Sequence, residues 1–195
     1  MRSSLYLLGA ALFDEPRPES KQALHALLWR VIYRSPVEAR WVRPLLEIAD
    51  AHERQDRLQR EYARLFKQPE VAARPYGSYW LEAEREPMGR TTGEVDKLMR
   101  RHGMGMERHP GMLPDHLVAE MELMAHLIDR ERVEHTLSAE QHLVHNHLSV
   151  WVPQFTGALR SCAPSRFYRM AAHYVEDVIR WDARRLAPDR RPIAA

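Results

Sequence analysis

Residues 117 to 128, LVAEMELMAHLI, restrict the fold more than any other stretch of this chain. Pro114 and Asp115 precede it as helix-start residues, and Leu, Ala, Met and Glu continue it as strong helix formers. At about 100° per residue, Leu117, Met121, Met124, Ala125 and Ile128 fall within one broad face, and Leu123 and Leu127 widen it. Glu122, His126 and Asp129 are left as a narrow polar stripe. A helix apolar over most of its circumference has to be covered on most of its sides. Two arrangements satisfy this. In one, the segment is a central core helix, with Glu120 near its start and reaching water. In the other, part of the apolar surface is an exposed groove with Glu120 on its rim.

The rest of the chain has the means to provide cover. Its 195 residues allow one substantial core, and only 8 of them are glycine. β-Branched residues are sparse and no period-two alternation of any length occurs, so the expected class is all-α, a bundle of about eight to ten helices. The spacing predicts helices over 5–13, 20–33, about 44–66 and 92–101, the last closed by Gly103. Pro36, Pro44 and Pro69 punctuate the third region. Asp115, Ser138 and Ser165 stand as N-caps of three later helices, and Pro188 and Pro192 mark a loose tail. Residues 67–90 read as a long irregular connection. The organisation expected is a single domain over 1–195, with an N-terminal lobe to about 103, a hinge over about 104–115 and a C-terminal lobe over about 116–187.

Charge and composition exclude several functions. With 29 basic and 27 acidic side chains the net charge is +2, so no strong field points to nucleic acid. The single cysteine, Cys162, rules out an intrachain disulfide and a cysteine-type zinc site. The opening MRSSLYLLGAALFDEP imitates a short secretory signal. Its apolar run is too short to span a bilayer and lacks a small-x-small cleavage site, so it reads as a packed helix of a cytoplasmic protein without stable membrane insertion. The eleven histidines include no Glu-x-x-His and no His-Glu-x-x-His arrangement, and a resident metal is not expected. In HLVHNHLSVW, residues 142–151, helical spacing turns His147 inward and His142 and His145 towards solvent. No nucleophile elbow or phosphate loop is present, and adjacent Asp115 and His116 point about 100° apart on a helix, so no catalytic residues are assigned. Methionine is concentrated between Met88 and Met124, where its flexibility suits either core packing or a surface that accepts varied apolar partners.

A more specific signal comes from motifs in order. EYARLFKQP (61–69), RPYGSYWLE (74–82), MGRTTGEVDKLMRRHGM (88–104), LPDHL (113–117), HLSVWVPQF (147–155) and FYRMAAHYVEDVI (167–179) together resemble the TorD/DmsD/NarJ family of redox-enzyme maturation chaperones, over about residues 58–182. That resemblance implies a TorD-like helical fold and a cytoplasmic, non-enzymatic chaperone without a cofactor. The implied partner is the precursor of a molybdoenzyme catalytic subunit, bound through its twin-arginine leader while cofactor is inserted and export delayed.

Carried over by position, it implies a signal-peptide site at Tyr62, Leu65, Phe66, Pro75, Tyr76, Gly89, Asp115 and His116. Tyr62 and Tyr76 stand where several relatives carry tryptophan, and Met112 replaces the acid of the Glu-Pro-x-Asp-His form. The client is therefore not named by the motif. A cationic, apolar leader calls for carboxylates beside an apolar trough, and Glu82, Glu84, Glu86 and Glu120 are the candidate rim. His116 stands either as a pH-sensitive element of that binding or as a tether between lobes. The alternatives are an assembly chaperone of a nitrate-reductase-like enzyme that acts without a leader, and a helical carboxylate/histidine metalloenzyme. A monomer and a homodimer both fit the sequence.

Overall fold

The computed structural model describes residues 2–17, 20–34, 42, 55–68, 71–107 and 110–187. The helices are α1 (Arg2–Phe13), α2 (Ser20–Arg34), α3 (Gln55–Tyr62), α4 (Gly77–Leu81), α5 (Arg90–Arg101), α6 (Leu117–Glu134), α7 (Leu137–His142), α8 (Ser149–Ser161) and α9 (Arg166–Arg185). Wider, π-helical turns prolong α3 over Ala63–Lys67 and join α7 to α8 over Leu143–Leu148. No strand forms among the described residues, and a single isolated bridge pairs Tyr76 with His116. The expected all-α class holds. The start of the helix expected from about residue 44, with Pro36, Pro44, Pro69, Pro188 and Pro192, lies outside the described residues.

The segment LVAEMELMAHLI is the central helix. Leu117, Met121, Leu123, Met124 and Leu127 have no exposed surface. α1 lies along α6 and also packs on α2 and α9, while α8 packs on α9. The choice between core and groove is thereby settled for the methionines of this helix. Met99 is sealed with them, Met104, Met106 and Met112 are half-buried against the same core, and among the described methionines only Met88 stands out in solvent. Fully burying a side chain of this size stabilises by about 1.5–3 kcal/mol, which favours the covered arrangement.

Residues expected to fall in two lobes share one continuous core. It runs from Leu5 of α1 to Leu186 beyond α9. At one end an aromatic cluster unites α1, α3, α8 and α9, with Phe13 5.6 Å from Phe155 and Phe66 5.5 Å from Tyr168. At the other end, Arg2 donates to both oxygens of Asp182, at 2.7 and 2.8 Å, and also bonds Glu140; the Tyr6 hydroxyl donates to Asp182 at 2.8 Å. These charges are almost wholly buried, and their mutual pairing is what makes that burial tolerable.

Local signals mostly place the helix ends. Gly103 has φ +69°, and the N–H groups of Gly103 and Met104 bond the carbonyls of Arg100 and Met99 at 3.1 and 2.9 Å, a Schellman closure of α5. Ser165 stands at the N-cap of α9, though its side chain makes no capping bond. The start expected at Ser138 falls two residues earlier, at Thr136, whose buried hydroxyl bonds Leu127 O at 2.7 Å. Among the described residues no helix is long and apolar enough to cross a membrane.

Candidate functional site

Within the expected irregular connection 67–90 the chain forms α4, a helix of 5 residues carrying the Gly-Ser-Tyr-Trp of the sequence motif. Five residues cannot hold a helix by themselves. The start of α6 holds it instead. The Gly77 N–H donates to Asp115 O at 2.8 Å and the Leu117 N–H donates to Pro75 O at 2.9 Å, on either side of the Tyr76–His116 bridge. Asp115 Oδ2 accepts the Ser78 N–H at 2.8 Å. The Tyr76 and His116 rings meet edge to face at 5.0 Å.

This corrects the capping expected of Asp115. Residue 116 is the N-cap of α6, and its Nδ1 accepts the Val118 N–H at 3.1 Å. Asp115 faces across to α4 and anchors that helix. The Asp-His pair is a clip between two segments of chain, each residue satisfying a different helix start.

Glu82 does the same for the other side of the loop. Its carboxylate accepts the Thr91 N–H at 2.7 Å and the Arg90 N–H at 3.2 Å, so it completes the start of α5. Those bonds, the Thr91 N–H first, lower the pKa of Glu82 below its ordinary value. Gly89 is the backbone N-cap there, and a Cβ on it would collide with the Glu82 carboxylate. Gly77 is confined in another way. A Cβ at that position would lie 3.0 Å from Glu120 Oε1 and 3.3 Å from Trp151 Nε1.

Glu120, expected on an exposed rim, is fully buried. One helical turn into α6 its side chain points under α4, between Gly77 and the indole of Trp151. Burial holds its carboxyl neutral to far higher pH than usual, and the nearby Asp115 charge adds to this. The Trp151 N–H opposes the shift from a position that makes no full hydrogen bond. Both Glu120 oxygens, Asp115 Oδ1, Ser78 Oγ and Trp151 Nε1 are buried without a hydrogen-bond partner among the described residues. So concentrated a set of polar atoms accommodates a neutral acid far better than a second anion.

The remaining expected site residues form two groups. Tyr62, Leu65 and Phe66 lie where α3 passes into its π turn; Tyr62 is 7 % exposed and Leu65 2 %, and the Tyr62 and Phe66 rings meet at 5.1 Å. Burial raises the Tyr62 phenol pKa, with Asp14, Glu15 and Tyr76 contributing, so this group sits within electrostatic reach of the α4 loop. Pro75 is buried and Tyr76 half-buried; the Tyr76 pKa is raised by burial and by Asp115 and lowered in part by Arg74. Glu84 and Glu86 are exposed, in a pocket of about 570 Å³ that Arg74, Tyr79, Arg85 and Pro87 also line. Arg74 lies 5.5 Å over the Tyr79 ring. His147 is buried as expected and its pKa lowered by burial and by His142, while His145 is half-buried instead of fully exposed. Among the described residues no three His, Cys, Asp or Glu side chains are placed to hold a metal ion.

Sequence reasoning did not single out Ser78, Thr91, Trp151 or the Arg2–Glu140–Asp182 network. The local signal for the first of these was the Gly-Ser pair of the RPYGSYWLE motif. Nothing local marked residues 2, 140 and 182 as partners, because their contact is made only by the tertiary fold.

A family model described as the nitrate reductase delta subunit matches residues 11–157, three quarters of the chain. The chain belongs to that family. Among similar proteins, the Tat proofreading chaperone DmsD of Salmonella typhi is 27 % identical over 188 residues, covering 93 % of this chain and 89 % of its own. The chaperone protein TorD of Aeromonas salmonicida is 28 % identical over 125 residues, 60 % of this chain and 56 % of its own. The TorD/DmsD/NarJ resemblance carried by the motifs is confirmed at the family level. A crystal structure from Archaeoglobus fulgidus, named for redox enzyme maturation, superposes with a TM-score of 0.65 at 20 % identity, covering 92 % of this chain and 94 % of that one; it shows the fold.

Proposed function

We propose that this chain is a cytoplasmic chaperone, not an enzyme, that binds the N-terminal leader of a molybdoenzyme catalytic subunit and delays its export until cofactor has been inserted. Family membership supports the chaperone role, and relatives named as chaperones align with most of the chain. The leader docks on the α4 loop. The observation that carries this is two solvent-facing carboxylates, Glu84 and Glu86, beside Pro87 on one pinned loop, in a pocket that Arg74 and Arg85 also line and where Arg74 covers the Tyr79 ring. Guanidinium groups seek carboxylates, and an apolar segment following them finds the half-buried rings of Tyr76 and Phe66. Asp115 and His116 are buried and support the docking loop from beneath, through the Asp115–Ser78 bond and the Tyr76–His116 bridge; Leu65 and Glu120 are buried beside the proposed surface.

Calorimetry with a synthetic twin-arginine leader tests this. Binding near micromolar, about 8 kcal/mol, is expected. It should weaken about tenfold when the paired arginines become glutamines or when Glu84 and Glu86 are both replaced by Lys. Equal affinity for the arginine-free leader would favour the second reading, in which the chain assembles a nitrate-reductase-like subunit without reading a leader. The description of the matching family model supports that alternative.

A further inference from the structure

The outer face of α2 presents aromatic rings and arginines side by side. SKQALHALLWRVIYR contains Lys21, Arg30 and Arg34 and no acidic residue. Its inner side is spent on the core: Leu28 and Val31 are buried, with Leu24, Leu27 and Ile32 packed against them. On the opposite side Gln22, Ala26, Trp29 and Tyr33 form one exposed row, and Ala23, Arg30 and Arg34 form the row beside it. Trp29 is 44 % exposed and Tyr33 78 %, and their rings stack on each other at 5.4 Å with 23° between planes. Neither arginine makes an ion pair among the described residues, although ion pairs tie down arginines on α5, α6 and α9.

An exposed, preorganised Trp–Tyr stack flanked by Arg30 and Arg34 combines two properties. The rings are apolar bodies with polar tips, which favours the boundary between water and acyl chains. The arginines, on a helix with no carboxylate to oppose them, complement a negatively charged plane. We infer that the outer face of α2 is a docking surface for an anionic lipid bilayer, with Trp29 and Tyr33 entering the headgroup layer and Arg30 and Arg34 resting on phosphates. Contact is peripheral and reversible, because the opposite face of the helix stays in the protein core. A protein surface would bury a Trp–Tyr pair through shape complementarity. A fluid interface requires no such complementarity, and the charge of Arg30 and Arg34 selects an anionic one.

Co-sedimentation of the full chain with vesicles decides this. Vesicles of phosphatidylglycerol and phosphatidylethanolamine should pellet the chain at low salt, and pure phosphatidylcholine vesicles should not. Raising the salt by several hundred millimolar should cut binding about tenfold. The double substitutions Trp29→Ser/Tyr33→Ser and Arg30→Glu/Arg34→Glu should each reduce it about tenfold or more, with helical circular dichroism unchanged, since both alter only solvent-facing side chains. Equal binding to both vesicle types, or binding that neither double variant changes, would overturn the assignment. So would a shift of oligomeric state on replacing Trp29 and Tyr33, which would make a second copy of the chain the occupant.

Discussion

At Asp115 a fully buried carboxylate accepts the Ser78 N–H while its own carbonyl accepts the Gly77 N–H. Asp115→Ala leaves the first of these donors buried and unpaired, at a cost of about 1–3 kcal/mol. Denaturant unfolding should show that loss, with Asp115→Asn closer to wild type because an amide oxygen can still accept. Glu120, beneath the same loop, makes a pH prediction whose sign is fixed. Its folded pKa is raised above the ordinary value of 4.5, so the folded chain binds the extra proton across the window from 4.5 up to the raised value. Stability conferred by the neutral carboxyl is complete below that window and declines as pH rises through it. Glu120→Gln removes the decline. Urea unfolding at a series of pH values should give a flatter profile for the variant, and parallel profiles would show that Glu120 is not the group responsible. The Asp-His motif was legible in the sequence as a helix start, but its partner was not. Spacing along the chain places Asp115 before α6 and carries no information about Ser78, 37 residues away.

At the scale of elements, α4 is the piece that only tertiary contacts can sustain. Gly77→Val should press on Glu120 and Trp151 and cost about 1–3 kcal/mol by overpacking. The visible sign would be faster hydrogen exchange confined to residues around 76–82 before any global loss. The long amphipathic helices were readable because a 3.6-residue repeat over several turns is a strong signal, and Gly103 was readable because its conformation follows from chemistry. α4 escaped because five residues carry less than two turns of pattern. The π turns Ala63–Lys67 and Leu143–Leu148 escaped because one extra residue per turn shifts the helical face without changing composition. The expectation that Glu120 reaches water failed for a related reason. Pattern puts Glu120 on the apolar side of α6, as observed, but a carboxylate near a helix start is ordinarily assumed to reach water, and here α4 and Trp151 close over it.

For the whole molecule, one core joining α1 to α6 and α9 leads us to propose a single cooperative domain. Thermal unfolding should then show one transition by helical and by tryptophan signals alike. Arg2→Ala strands buried Asp182 and Glu140 together and should destabilise by about 3–5 kcal/mol, lowering that one transition as a unit. The all-α class and the family were legible from composition and ordered motifs. The role of the N-terminal helix as a central strut was not, because its apolar run shows that it packs and leaves open where. The most direct test of the leader-binding account is hydrogen–deuterium exchange of the full chain with and without a twin-arginine leader peptide. Protection centred on residues 71–89, with a lesser effect around Tyr62 and Phe66, is the expected result. Protection confined to other helices, with the α4 loop unchanged, would contradict it.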